Sequence, residues 1–178
     1  MFGNKKNAEV ILNKATAGLE RKLINLKKDQ NIDLSKHHAR VFVVIDRSTS
    51  MKPLYRSGAV QDVLTRLLPL ALKFDDNGEL EVYVFNENCT QMSPMHLKNY
   101  MDYVKTEILD KGYEPYGGTC YAPVIRQTIN DYNDGSPYPA FGIYITDGEN
   151  HDKKSTDDAI KRSSSYKIFY QFVGIGNE

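Results

Sequence analysis

Three short segments of this chain concentrate small oxygen-bearing side chains: Asp46-Arg47-Ser48-Thr49-Ser50, Gly117-Gly118-Thr119 and Asp147-Gly148-Glu149. Brought to one spot, Asp46, Ser48, Ser50, Thr119 and Asp147 would offer two carboxylates and three hydroxyls. All are hard oxygen donors, which suit Mg²⁺, Mn²⁺ or Ca²⁺ rather than zinc. Carboxylates held that close repel each other, and a bound cation relieves the repulsion. The paired glycines let backbone approach a ligand closely. Each segment also has a plainer reading. Ser48, Thr49 and Ser50 could cap the next helix, Thr119 could cap its own, and Asp147-Gly148 could be a hairpin turn.

The elements around these segments favour convergence. Arg40-Val41-Phe42-Val43-Val44-Ile45 is a continuous apolar run ending at Asp46, as expected of a strand buried on both faces. Further strands are predicted at Leu80 to Phe85, Cys89 to Met92, Phe141 to Thr146 and Lys167 to Val173, with Asn86-Glu87-Asn88 as a tight turn. Helices are predicted at 57–73, 96–110, 121–132 and 155–165, the first kinked or broken at Pro69. Asp75-Asp76-Asn77-Gly78 reads as a turn. Alternating strands and helices predict an α/β, doubly wound, mostly parallel sheet with helices on both faces. In such sheets ligands bind beyond the carboxyl ends of the strands, where the three segments fall.

Residues 5–29 predict a leading helix with one apolar stripe, Ala8, Leu12, Ala15, Leu19, Leu23 and Leu26. Its other faces are polar and largely basic. A solvated face with the stripe packed on the domain is favoured over a partner-binding or nucleic-acid arm. This helix and its connector occupy 1–36 and the main domain 37–178. The 178 residues suit one well-cored domain, and a formal net charge of +0 supplies no global field for nucleic acid or an anionic membrane. Neither a signal peptide nor a membrane span is visible. Cys89 and Cys120 read as reduced thiols, so a cytoplasmic setting is expected.

Asp46-x-Ser48-x-Ser50, Thr119 in Gly-Gly-Thr and Asp147 in Ile-Thr-Asp-Gly together resemble the metal-ion-dependent adhesion site of von Willebrand factor A (vWA) domains. The resemblance runs from about Arg40 to the end. It is most similar to the vWA domains of bacterial tellurium-resistance and stress proteins, through Ile32-Asp33-Leu34-x-Lys36-His37-x-Ala39-Arg40-Val41, Leu67-Leu68-Pro69-Leu70-Ala71-Leu72 and Asp75-Asp76-Asn77-Gly78-Glu79-Leu80. The resemblance implies a Rossmann-like vWA domain that stops short of the family's last helix and strand. That would leave the strand from Lys167 with an exposed edge or apolar face. It also implies that Ser48, Ser50 and Thr119 hold a divalent cation directly or through water, with Asp46 and Asp147 often acting through water. Thr49 stands where the family usually has glycine, and a β-branched residue restricts the loop backbone.

The implied function is divalent-cation-dependent protein interaction in a tellurium-resistance or stress-response setting, with Mg²⁺ placed ahead of Mn²⁺ and Ca²⁺. A partner's Glu or Asp would fill the cation's open position, and no nucleic-acid or membrane partner is expected. Tyr55, Tyr113, Tyr116 and Tyr121 lie in or beside the loops and could form an aromatic rim or belong to the core. The alternatives are a metal-dependent phosphohydrolase and an ion-binding or ion-sensing protein. The hydrolase requires a second acid two residues after Asp46, where Ser48 stands. No G-x-S-x-G elbow is present, and His37, His38, His96 and His151 fit no zinc spacing, so no catalytic activity is expected.

Overall fold

The computed structural model describes residues 2–34, 36–75, 77–148 and 150–176; Glu149, Asp76 of the turn, Ser35 of the connector, Met1 and the tail residues Asn177 and Glu178 lie outside the described residues. The strand β1 (Arg40–Asp46) is the centre of the sheet, and all its residues but Arg40 are buried. It pairs in parallel with β2 (Glu81–Phe85) on one side and β4 (Ala140–Thr146) on the other. β5 (Ile168–Gly174) adds in parallel to β4, and the short β3 (Cys89–Gln91) pairs antiparallel to β2 across the Asn86–Asn88 turn. The strand order is β3-β2-β1-β4-β5. All four long strands therefore run the same way, and their carboxyl ends lie along one edge of the layer.

The period-two geometry of β1 divides the core. Val41, Val43 and Ile45 pack with Leu64 and Leu68 of α3 (Ala59–Phe74), and with Ala8 and Leu12 of α1 (Phe2–Asp29). Phe42 and Val44 pack on the other face with Ile125 and Ile129 of α4 (Tyr121–Tyr132) and Ala159 of α5 (Lys153–Ser163). Here α1 to α5 and β1 to β5 are numbered in chain order, with α2 at Lys52–Ser57. The fold is the doubly wound α/β sheet that alternating strands and helices predict. On α1 the rest of the stripe, Ala15, Leu19, Leu23 and Leu26, is half-buried, while Lys14, Arg21, Lys22, Lys27 and Lys28 are exposed. Among the described residues no helix is long and apolar enough to cross a membrane.

Two helix expectations need correction. The segment 57–73 breaks at Gly58, whose φ of 84° ends α2 and starts α3, and not at Pro69. α3 runs through Pro69, whose ring is buried with Val60, Leu64, Leu68 and Ala71, so packing of that face outweighs one lost helical hydrogen bond. The segment 96–110 is not one α-helix but a 3₁₀ turn at Tyr100–Asp102 followed by a π-helical turn at Val104–Leu109. The cause is Gln61 of α3. Its carboxamide donates to the Tyr100 carbonyl (2.7 Å) and accepts from the Val104 amide (2.9 Å), the two groups an α-helix would join to each other.

The sheet's two edges are unlike. β3 is three residues long, whereas β5 is seven residues without charge or proline. On β5, Phe169 is 61% exposed and Phe172 40%.

Candidate metal centre

The buried β1 strand delivers Asp46 to the carboxyl edge with no exposure at all. Its Oδ1 accepts the Ser48 amide at 2.7 Å and its Oδ2 accepts the Thr146 hydroxyl at 2.8 Å. The Tyr55 hydroxyl donates to the Asp46 carbonyl at 3.2 Å. Burial pushes the Asp46 carboxyl above its ordinary pKa, against the bonds from Ser48 and Thr146 that favour the charged form. A cation at this position would reverse that balance.

From Asp46 the chain turns across the mouth of the sheet. Ser48 precedes a 3₁₀ turn, Thr49–Met51, but its hydroxyl does not cap it. It lies 3.0 Å from the Ser50 hydroxyl, which in turn donates to Asp147 Oδ1 at 2.9 Å. Asp147 follows β4, the strand beside β1, so two adjacent carboxyl ends bring Asp46, Ser48, Ser50 and Asp147 together. Parallel pairing of β4 with β5 also excludes a hairpin at Asp147-Gly148.

Thr119, 5% exposed, lies on the loop before α4. That loop is fastened to the others by backbone bonds. The Thr49 amide donates to the Gly117 carbonyl (3.0 Å), the Cys120 amide to the Asn86 carbonyl (2.9 Å), and the His151 amide to the Thr119 carbonyl (2.8 Å). The Tyr116 amide donates to the Arg47 carbonyl (2.8 Å), so it and Thr49 together tie this loop to the one after β1. Gly117 has φ 77°, a conformation side chains seldom adopt.

The donor set fits a small octahedral cation. Cis ligands around Mg²⁺ stand about 2.9 Å apart when each lies about 2.0–2.1 Å from the metal. Two oxygen pairs, Ser48 with Ser50 and Ser50 with Asp147, have about that spacing, 3.0 and 2.9 Å, the second across two loops. Among the described residues no group of three or more His, Cys, Asp or Glu could hold a metal ion, so a cation here would depend on hydroxyl oxygens as well as carboxylates.

Residues 38–178 match the vWA-TerF-like family, described as the vWA found in the TerF C terminus. The uncharacterized protein YcbR of Bacillus subtilis (strain 168) is 39% identical over 166 residues, which are 92% of this chain and 67% of that protein. The chain belongs to the vWA-TerF-like family. Solved structures agree on the fold of this vWA domain. A von Willebrand factor type A protein from Catenulispora acidiphila superposes with a TM-score of 0.62 at 17% identity, over 80% of this chain and 34% of that one. Manganese-loaded TRAP from Plasmodium vivax gives 0.58 at 18% identity over 79% and 58% of the two chains. Proximal thread matrix protein 1 from the mussel byssus, with a zinc-occupied MIDAS motif, gives 0.56 at 16% over 79% and 36%. The vWA domain thus spans about a third to just over half of each of these solved chains.

Much of what shapes the vWA domain's mouth escapes a reading by motif. Tyr55 and Tyr121 are no part of a rim: they are 6% and 7% exposed and support the site from beneath, Tyr55 on Asp46 and Tyr121 on the Thr146 hydroxyl (3.0 Å). Tyr113 is half-buried and only Tyr116 is open, at 53%. Both rings take the buried Arg47 guanidinium on their faces, at 5.6 and 4.7 Å. The cap of α4 is Asp152, not Thr119. Its oxygens accept the Tyr121 (3.0 Å) and Ala122 (2.9 Å) amides from outside the helix. Partial burial raises the cost of the Asp152 charge, yet these amides and Thr156 hold its carboxyl below the ordinary range. The one usable signal for Asp152 in the sequence is its place just before a helix, and that points to the wrong helix.

Proposed function

We infer that this vWA domain is a divalent-cation-dependent protein-interaction module, with Asp46, Ser48, Ser50, Thr119 and Asp147 as the cation's ligand set. The observation that supports it best is the convergence of the Ser48, Ser50 and Asp147 oxygens, with neighbouring pairs 3.0 and 2.9 Å apart, beside buried Asp46. Mg²⁺ is the proposed ion, with Mn²⁺ next; manganese in TRAP and zinc in the byssus protein show that the fold accepts divalent ions in other proteins. Three of the five ligands are neutral hydroxyls, so the bound ion keeps positive charge and attracts an acidic side chain of a protein partner. The proposed setting is a bacterial tellurium-resistance or stress-response system in the cytoplasm, in keeping with the TerF family match.

Binding rather than turnover is the proposed role. Among the described residues no serine hydroxyl or cysteine thiol bonds a histidine, and Ser48 and Ser50 bond each other and Asp147. The test is a calorimetric titration of wild type, Asp46→Ala and Thr119→Ala with Mg²⁺, Mn²⁺ and Ca²⁺. The expected result is binding by wild type, weaker binding by Thr119→Ala and none by Asp46→Ala. Equal heats from all three proteins would sink the assignment. Saturating metal should also raise wild-type stability, by about 3 kcal/mol at a hundredfold excess over Kd.

A further inference from the structure

Of the three segments that supply ligands, the Gly117–Thr119 loop has the least local support. Ser48 and Ser50 sit within four residues of buried Asp46, and Asp147 directly follows β4. Thr119 comes instead from a loop after the π-helical turn, and two of its preceding residues are glycines. Its position depends on what holds the backbone. Three of the bonds that do so are backbone to backbone, from Thr49, to Asn86 and from His151. A fourth comes from a side chain. Glu87 Oε1 accepts the Gly118 amide at 2.6 Å.

Glu87 is presented by a rigid turn. Asn86 is fully buried; its carboxamide donates to the Tyr116 carbonyl (3.1 Å) and its Oδ1 accepts the Asn88 amide (3.0 Å). The Asn86 amide donates to the Asn88 carbonyl at 3.0 Å. The turn between β2 and β3 is thus closed on itself and pinned to the loop it faces, with Glu87 at its exposed tip. The Glu87 carboxylate lies over both glycines. A Cβ on Gly117 would fall 2.4 Å from its Oε2, and one on Gly118 would fall 3.2 Å from its Oε1. On the other flank the same Gly118 Cβ would meet His151 Nδ1 at 2.6 Å. The glycine pair is therefore threaded between a carboxylate and an imidazole, and only the carboxylate bonds its amide. The bond to the Gly118 amide also draws the Glu87 carboxyl below its ordinary pKa.

We propose that Glu87 is the positioning residue of the cation site, a carboxylate that clamps the Gly118 amide and so sets the Thr119 hydroxyl at its ligand position. The proposal rests on the cation reading above. Glu87 does not touch the ion; it acts through the next residue in the chain, as outer-shell partners of metal ligands do. Its bond needs an acceptor oxygen and not a charge, which separates it from a general electrostatic attraction for cations.

The experiment is Mn²⁺ titration of the full chain as wild type, Glu87→Ala, Glu87→Gln and Asp46→Ala, with amide exchange of Gly118 followed by NMR in metal-free protein. Glu87→Ala should weaken Mn²⁺ about tenfold, the low end for loss of an outer-shell partner. It should also speed Gly118 exchange, and leave metal-free melting unchanged because the residue is exposed. Glu87→Gln, whose amide oxygen can accept the same bond, should keep slow exchange and near wild-type affinity. Wild-type affinity in Glu87→Ala, with Asp46→Ala unable to bind, overturns the role of Glu87 and leaves the cation site standing. Equal weakening in the Ala and Gln variants also overturns it, because charge and not the clamp would then be responsible. Unaltered binding by Asp46→Ala would remove the cation reading and this proposal with it.

Discussion

Asp46 and Asp147 follow neighbouring parallel strands and belong to one oxygen cluster, yet the fold treats them differently. Asp46 has no exposure, and both its carboxylate oxygens accept bonds from groups of the protein itself. Asp147 is half-buried, and among the described residues its side chain bonds the exposed Ser50 hydroxyl alone. Asp46 thus has a structural duty that persists without metal, whereas among the described residues the Asp147 carboxylate is held by a single hydroxyl. Two identical residue types at equivalent strand ends can therefore have unequal stakes in folding. The lesson extends to Asp152, on the loop after β4, whose carboxylate accepts bonds from the Tyr121 and Ala122 amides and from Asn150 and Thr156.

The largest expected effect is at Asp46. Asp46→Ala should abolish cation binding and also lower metal-free stability by about 2–4 kcal/mol, since the Ser48 amide and the Thr146 hydroxyl each lose a buried partner. Urea unfolding with and without Mg²⁺ measures both parts. A metal-free variant as stable as wild type would mean that Asp46 has no structural duty apart from the cation. Asp147→Ala comes next. Its metal-free stability should stay within about 0.5 kcal/mol of wild type, while Mg²⁺ affinity falls about tenfold for the lost charge-assisted contact. A destabilisation matching that of Asp46→Ala would erase the distinction.

The smallest effect sharpens the comparison from the other side. Asp152→Ala should cost about 1 kcal/mol, the scale of a lost helix cap, and leave Mg²⁺ affinity near wild type. Its pH dependence has a defined sign. The folded carboxyl lies below its ordinary pKa, so its contribution is present above the unfolded value of about 3.9 and is lost as pH falls through the folded one. The stability gap between wild type and Asp152→Ala should thus be full at pH 7 and close in strong acid. A gap that grows on acidification would contradict the cap.

The fold was legible where one residue type repeats under one constraint. Val41 to Ile45 must be a central strand, because so continuous an apolar run has nowhere else to go, and α4 begins and ends where its pattern does. The convergence of Asp46, Ser48, Ser50 and Asp147 was legible because loops at strand ends put hydroxyls and carboxylates at fixed short spacings. What escaped were bonds made across long stretches of chain. Gln61 rewrites the helix at 100–109 from 39 residues away. Glu87 holds an amide 31 residues on, and Asp152 caps a helix that began 31 residues before it. Local periodicity has no term for a polar side chain that serves a distant backbone.

The shortness of β3 has a consequence for the β2 side of the sheet. An edge strand of three residues offers too few ladder bonds to template a further strand, so β2 is shielded from strand addition by the element paired to it.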